Sequence, residues 1–395
     1  MKQRILLFIA ISFASFFLWT SPAQANTGSG ENIGIDLIED QINSFDFSDI
    51  EEFWDKLKQD YGGFLPETER KGLVDYINSA NDFNIQEWGL GILKFIFHEL
   101  ITNGNLIGTL IMLTVFSMFL QSLQNSFEKS SVSKIAYAIV FMVLMIIALN
   151  SFHVAMQYAL SAIQTMINFT LAFIPLLLAL IATSGGVISA GFFHPVVLFL
   201  ANISGIFVEY IVLPLLFLST LLSIVSTLTE QYKATQLAQL LRNWSIGLLG
   251  IFMTIFLSVV SIQGTATAVA DGVAVKTAKF VTGNFIPVVG RMFTDAADTV
   301  ITASAVLKNT IGIAGVGILL LLILFPAFKI LIIAFIYKFS AALLQPLGGG
   351  PIITCLDVIS KCVIYLFAAL GIVSIMFFIS LTVIILAGNF TIMVR

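Results

Sequence analysis

Charge is what this sequence has least of. Only 11% of its 395 residues are Asp, Glu, Lys or Arg, against roughly 25% in soluble globular proteins. Hydrophobic residues make up 58% and mean hydropathy is +0.99, which argues against a soluble enzyme and against a disordered chain. Net charge is −4 and no basic cluster exists, so nucleic acid is not an expected partner. Two cysteines, Cys355 and Cys362, cannot build a disulfide scaffold or a four-cysteine zinc site. His98, His153 and His194 are the only histidines, and none has H-E-x-x-H or H-x-x-x-H spacing, so a metalloprotease is disfavoured. Neither a Walker A sequence nor a G-x-S-x-G elbow occurs. No catalytic residue, metal ligand or cofactor site is assigned. An all-α, polytopic integral membrane bundle is the class that remains.

Long hydrophobic runs are what the chain has in quantity. The first reads as a secretory signal peptide over residues 1–25. Lys2 and Arg4 precede an apolar stretch, Ile5 to Trp19, that is too short to span easily. Ala23-Gln24-Ala25 then supplies a cleavage site after Ala25. Residues 26–87 hold 15 acidic and 4 basic residues, whereas residues 88–395 hold 8 acidic and 13 basic. An acidic exported segment therefore precedes a mildly basic membrane region. The segment reads as helical: Ser48-Asp49-Ile50-Glu51 fits a capping box, Phe53, Trp54 and Leu57 form a stripe, and Gly62-Gly63 ends the helix. Pro66 suits the first turn of another helix carrying Leu73, Tyr76 and Ile77. Residues 88–103 form an amphipathic stretch, with Trp88, Ile92, Phe95, Ile96 and Leu100 on one face, expected to lie in the membrane interface. The acidity suits either a solvated surface or a docking surface for an exported partner.

Residues 104–395 form the multi-span domain. Spans are expected at Asn105–Leu123 and Ile135–Ala155, at Ile211–Leu228 and Trp244–Gln263, and at Ile330–Leu344 and Cys362–Ala387. The connections inside these pairs carry Lys129, Lys134, Lys233, Arg242 and Lys361, which places them in the cytoplasm by the positive-inside rule. Phe173-Ile174-Pro175 recurs as Phe285-Ile286-Pro287, and Val187-Ile188-Ser189-Ala190 as Val300-Ile301-Thr302-Ala303. The words suggest repeats over 104–210 and 211–329 with a partial copy at 330–395. Further crossings at Ile163–Ala182 and Pro195–Glu209 would keep the connections on one side. Residues 264–310 carry Lys276, Lys279, Arg291, Asp295, Asp298 and Lys308, too polar for lipid, so this stretch is expected outside it or shielded by protein or water.

Few candidate site residues emerge. Glu209 and Lys329 are ionisable at apolar depth and are candidates for lining a path or pairing with each other, with snorkelling at a helix end as the alternative. Ser184-Gly185-Gly186 and Gly348-Gly349-Gly350 are candidate hinges or re-entrant elements, or else tight turns.

An exported acidic segment, a long multi-span region and the words Phe173-Ile174-Pro175, Thr183-Ser184-Gly185-Gly186 and Ser189-Ala190 together resemble the stage III sporulation protein AE family of endospore-forming bacteria. The resemblance covers nearly the whole chain and rests on architecture and wording, not on a catalytic motif. It implies a non-enzymatic component of a multi-protein complex in the mother cell membrane facing the forespore. The implied partners are a secretion-type ATPase, ring-forming proteins and a forespore protein met across the intermembrane space, and the assembly would act as a channel. A stand-alone solute transporter is the alternative, and a polytopic membrane enzyme is disfavoured by the missing catalytic groups.

Overall fold

The computed structural model describes residues 47–66, 72, 73, 76, 85–126, 131–227, 234–285, 289–347 and 350–393. The expected signal peptide with Ala25, the middle of the Pro66 helix, and Gly348 and Gly349 lie outside the described residues. Nine α-helices are described: α1 Ser48–Tyr61, α2 Ile85–Thr102, α3 Gly104–Ser126, α4 Ser131–Thr183, α5 Val187–Phe207, α6 Leu213–Val225, α7 Thr235–Phe285, α8 Val289–Leu344 and α9 Pro351–Met393. A π-turn, Val208–Val212, joins α5 to α6. The all-α polytopic class is as the sequence reads.

Length is where sequence and structure part. α4 has 53 residues, α7 has 51 and α8 has 56. At 1.5 Å per residue each is about 75–85 Å long, more than twice a roughly 30 Å hydrocarbon core. The expected spans Ile135–Ala155 and Ile163–Ala182 are one helix, and Trp244–Gln263 continues unbroken to Phe285. Residues 155–163 contain no Gly or Pro, so nothing in the backbone stops α4 between the two apolar runs. Ile330–Leu344 is likewise only the last part of α8. Pro175 and Pro326 sit inside α4 and α8 without ending them.

Three helical hairpins result: α3 with α4, α5–α6 with α7, and α8 with α9. They are the pairs seen in the sequence, and the further crossings expected between them are not separate helices: Ile163–Ala182 continues α4, and Pro195–Glu209 runs on through the π-turn into α6. A second helix turns straight into the next first helix at residues 184–186. The repeated words occupy different settings: Phe173-Ile174-Pro175 is inside α4, whereas Phe285 ends α7, and Val187 opens α5, whereas Val300 lies within α8.

The antiparallel register is visible in the contacts. Gly205 packs on Ile167 across α5 and α4. Ser245 Oγ donates to Val212 O (3.0 Å) and Ser219 Oγ to Ala238 O (2.6 Å), joining α7 to the α5–α6 arm. Tyr337 Oη donates to Ser151 Oγ (2.8 Å) between α8 and α4, and Ser360 Oγ to Ala334 O (2.8 Å) between α9 and α8. α8 and α9 are the most enclosed helices, their faces closed by Phe325, Ile336, Tyr337, Val363, Leu366, Met376 and Phe377.

Four polar residues of 264–310, Asp271, Lys279, Asp298 and Lys308, find partners in protein. Lys308 is fully buried, with Nζ donating to Asn389 Oδ1 at 2.6 Å. Lys279 pairs with Asp298, and Asp271 binds the start of α5. Asp271 and Lys308 are enclosed by protein, whereas Lys279 and Asp298 are partly exposed and Lys276 is exposed.

Candidate functional site

Three places carry the candidate features, two of them built on residues that sequence patterning singles out. The first is the turn at Ser184-Gly185-Gly186. Gly185 N donates to Ala182 O (3.1 Å) and Gly186 N to Ile181 O (2.8 Å), the paired bonds of a Schellman motif, with Gly185 at φ 92° in the left-handed region that glycine tolerates. Ser184 Oγ donates to Ile181 O at 2.9 Å. A side chain on Gly186 would meet Ile181 Cγ2 at 2.6 Å. The next helix starts at once, and its first amides are capped from another helix: Asp271 of α7 accepts from Ile188 N (2.8 Å) and Ser189 N (3.0 Å). Asp271 is 1% exposed. Its charge is balanced by the positive end of α5. This element is a pinned tight turn. Gly350 plays a simpler part, its carbonyl accepting from Thr354 N (3.2 Å) at the start of α9.

The second place is the dock of α1 and α2. Tyr61 stacks on Phe325 of α8, with ring centroids 4.1 Å apart and planes 6° from parallel. Phe95 of α2 meets Phe325 edge-on at 5.0 Å and Phe64 at 5.2 Å. Phe53 meets Phe169 of α4 at 5.5 Å, and Trp54, fully buried, stacks on Tyr76 at 4.6 Å. The stripe of α2 expected to face the membrane thus packs on protein, and Leu90, Leu93, Phe97 and Ile101 are exposed on its other side. The cap residue of α1 is Phe47, so Ser48 and Glu51 do not stand in capping-box register.

Lys329 belongs to this dock. Its Nζ lies 5.5 Å from the Tyr61 ring centre and 5.3 Å from that of Tyr158 on α4. Burial, with Asp60 and Glu99 adding to it, pushes the Tyr61 phenol up to about 12, so Lys329 meets a neutral ring face. Among the described ion pairs none joins Lys329 to Glu209. Lys329→Met should loosen α1 by about 1 kcal/mol, seen as roughly fivefold faster proteolysis within residues 47–66. An unchanged rate would mean the cation adds nothing to the dock.

Glu209 is exposed within the π-turn. Pro214 explains that turn: lacking an N–H and crowding the preceding carbonyls, it favours a widened helix, and Leu213 N bonds back five residues to Val208 O. Glu209 stands one turn beyond Gly205, which packs on Ile167 of α4.

The third place was hidden in the sequence by splitting α4 in two. Asn150, His153, Gln157, Ser161, Gln164 and Asn168 are all exposed. Their spacing of three and four residues puts them on one face of the helix. They bond along their own row: Gln164 Nε2 donates to Asn168 Oδ1 at 3.0 Å, and Gln157 Nε2 lies 3.5 Å from His153 Nε2. Tyr158 and Phe169, which hold Lys329 and α1, are on the adjoining face. Asp271 and this row are the residues that sequence reading missed. The row was legible as a 3.6-residue polar period once residues 131–183 are read as one helix.

Cys355 and Cys362 are buried free thiols. Among the described residues no cluster of His, Cys, Asp or Glu could hold a metal ion.

These features define a class: a multi-pass, all-helical membrane protein with helices far longer than a bilayer and an acidic helix docked on its flank. The chain belongs to the stage III sporulation protein AE family, whose profile matches residues 68–388. It is 62% identical over 359 residues to Stage III sporulation protein AE of Bacillus subtilis (strain 168), covering 91% of this chain and 90% of that protein. No solved structure matches it. Family membership makes it a sporulation protein.

Proposed function

We propose that this protein is a non-enzymatic platform and channel component of a complex spanning the mother cell and forespore membranes. Its acidic segment would face the intermembrane space, where ring-forming proteins and a forespore partner assemble, and its charged connections would face the mother cell cytoplasm and a secretion-type ATPase. The observation that carries the reading is the dock of α1. The apolar bundle holds a helix whose outward face shows Glu51, Glu52, Asp55 and Asp60 against Lys56, with Asp55 paired to Lys58, a net acidic surface suited to a partner. Charges of that density cannot sit in lipid, so this flank of the bundle is wet or covered by protein.

Reversal of that surface tests it. A triple variant, Glu51→Lys, Glu52→Lys and Asp55→Lys, should accumulate normally in the membrane, leave vegetative growth unchanged and lose most heat-resistant spores, with loss of co-purifying complex proteins. Normal spore yield from the triple variant would overturn the docking role. A growth defect on particular nutrients in a clean deletion, with normal sporulation, would favour the stand-alone transporter instead.

A further inference from the structure

Beside the seat of Tyr61, α8 changes from a docked face to an open one. Tyr61, the last residue of α1, stacks on Phe325 and its ring stands by Lys329. From there toward the α8–α9 connection, an open groove of about 430 Å³ runs between α2, α8 and α9. Ile96 and Leu100 of α2, Phe328, Leu331 and Phe335 of α8, and Ile364 of α9 form its walls. Ser360 also lines it, but its hydroxyl is bound to Ala334 O at 2.8 Å. Lys338 is the one charged lining residue.

Lys338 stands at the end nearer the connection, with Asp357 and Lys361 of α9. Both lysines bond the single carboxylate, Lys361 Nζ lying 2.6 Å from Asp357 Oδ2. Each lysine side chain is 59% exposed, so the cluster offers a net positive charge at the mouth of the groove. Away from the connection the surface turns apolar at once. Between Lys329 and Lys338 the exposed residues of α8 are Leu331 and Phe335. Beyond Lys361, α9 exposes Ile364 and then nothing before Leu386. The same change occurs across the bundle. Tyr365, one turn from Lys361, has Arg242 of α7 over its ring at 4.4 Å. Around that arginine α7 exposes Gln236, Gln239, Asn243 and Trp244, and farther from the connection Leu248, Ile251 and Ile255. An exposed tryptophan among cations, with amides on one side and aliphatic residues on the other, is the pattern of a membrane–water boundary.

We infer that the groove holds one acyl chain of an anionic phospholipid, with the phosphate on Lys338 and Lys361. From Phe328 to Lys338 is ten residues, about 15 Å, half of a roughly 30 Å hydrocarbon core and so the depth of one leaflet. That length decides the occupant. A transmembrane partner helix needs the whole core, whereas charge returns at the far end of this groove with Glu99 and the acidic helix α1. The walls offer no hydrogen bond to a polar solute, and an uncharged chain leaves the lysines without a ligand. Basic pockets between helices on the cytoplasmic side take anionic headgroups, and the α8–α9 connection is on the side where the lysine-bearing connections are expected to face the cytoplasm. The inference goes beyond the platform reading and does not rest on it.

The full chain, purified in nonionic detergent, would be titrated with phosphatidylglycerol or phosphatidylcholine, and bound lipid counted by native mass spectrometry. Phosphatidylglycerol should bind about tenfold more tightly. Lys338→Gln combined with Lys361→Gln should abolish that preference and leave phosphatidylcholine binding unchanged. Leu331→Trp and, from the opposite wall, Ile364→Trp should weaken both lipids by narrowing the groove. Thermal unfolding of each lipid-free variant separates a filled groove from a disturbed fold, and the lysine pair, at the surface, reports even where a tryptophan disturbs it. Glycerol phosphate, a headgroup without a chain, should not compete. Equal binding of the two lipids, or an anionic preference that survives loss of both lysines, would overturn the inference. So would undiminished lipid binding in a well-folded tryptophan variant, or competition by glycerol phosphate, which would leave only a surface anion site. No readout involves sporulation, so failure here leaves the platform role standing.

Discussion

Asp271→Ala should lower the stability of the folded protein by about 3–6 kcal/mol, the sum of two hydrogen bonds to a charged acceptor at roughly 1.5–3 kcal/mol each. The first amides of any helix lack intrahelical partners. In α5 they are turned into the protein, and Gly186, the cap residue, has no side chain to satisfy them. Asp271 supplies both acceptor oxygens from α7, with Ile188 N at 2.8 Å and Ser189 N at 3.0 Å. Removing the carboxylate strands a buried amide at Ser189 and a half-buried one at Ile188. It also takes the carboxylate away from the positive end of α5. Asp271→Asn is the sharper variant. It keeps one oxygen as acceptor but turns an NH2 toward the second amide, so its loss should fall between the wild type and alanine. Thermal unfolding of the purified protein, with protease sensitivity near residues 183–187, reads both. Asp298→Ala is the comparison: its ion pair with Lys279 has side chains 41% and 28% exposed, and a pair so placed contributes about 0–1 kcal/mol. Equal losses from Asp271→Ala and Asp298→Ala would show that the turn is not held by its cap.

Hydropathy and charge made the class of this fold legible, and the three helical pairs were visible as apolar runs around lysine-bearing connections. The junctions between pairs were not. A run of Gln and Ser between two apolar stretches reads as a connection when hydropathy is averaged around the helix. In α4 those polar residues are confined to one face, and the other faces, Ala155, Ala159, Ala162, Ile163 and Met166, are buried without a break. The Ser184-Gly185-Gly186 word was legible as a turn or a hinge; the choice between them depended on Asp271, more than eighty residues away, whose role no local pattern announces. Glu209 and Lys329 were marked by charge at apolar depth, yet the expected pair does not form. Lys329 takes two tyrosine rings instead, one of them delivered by α1 from the acidic segment. Long-range partners of that kind are set by packing, which a single sequence does not display.

Gly315→Leu should be strongly damaging, because the Phe173 ring of α4 fills the space beside Gly315 of α8. Even a Cβ at Gly315 would overlap the outer edge of the Phe173 ring. Phe173 is 1% exposed and stacked on Phe169 at 5.5 Å, so the ring has no free space to swing into. Gly312, one turn earlier, holds α8 equally close to α9, where a Cβ would meet Ile385 at 2.9 Å. α8 therefore cannot retreat from α4 without striking α9. Overpacking a core commonly costs about 1–3 kcal/mol; Gly315→Ala should lie in that range, and the leucine well above it. The mechanism has a signature that simple destabilisation lacks. Phe173→Ala alone opens a cavity and should cost about 3–5 kcal/mol, but combined with Gly315→Leu it makes room for the new side chain. The double variant should be more stable than the sum of the single losses by about 1–3 kcal/mol, the coupling expected of residues in contact. Additive losses would mean that the clash is absorbed elsewhere. The same pair should also move the acidic helix. Phe169, the neighbour of Phe173, is the ring on which Phe53 rests, so Gly315→Leu should expose residues 47–66 to protease even at temperatures where the bundle remains folded. Restoration of that protection in the double variant would tie the contact of α8 with α4 at Gly315 to the seating of the acidic helix α1.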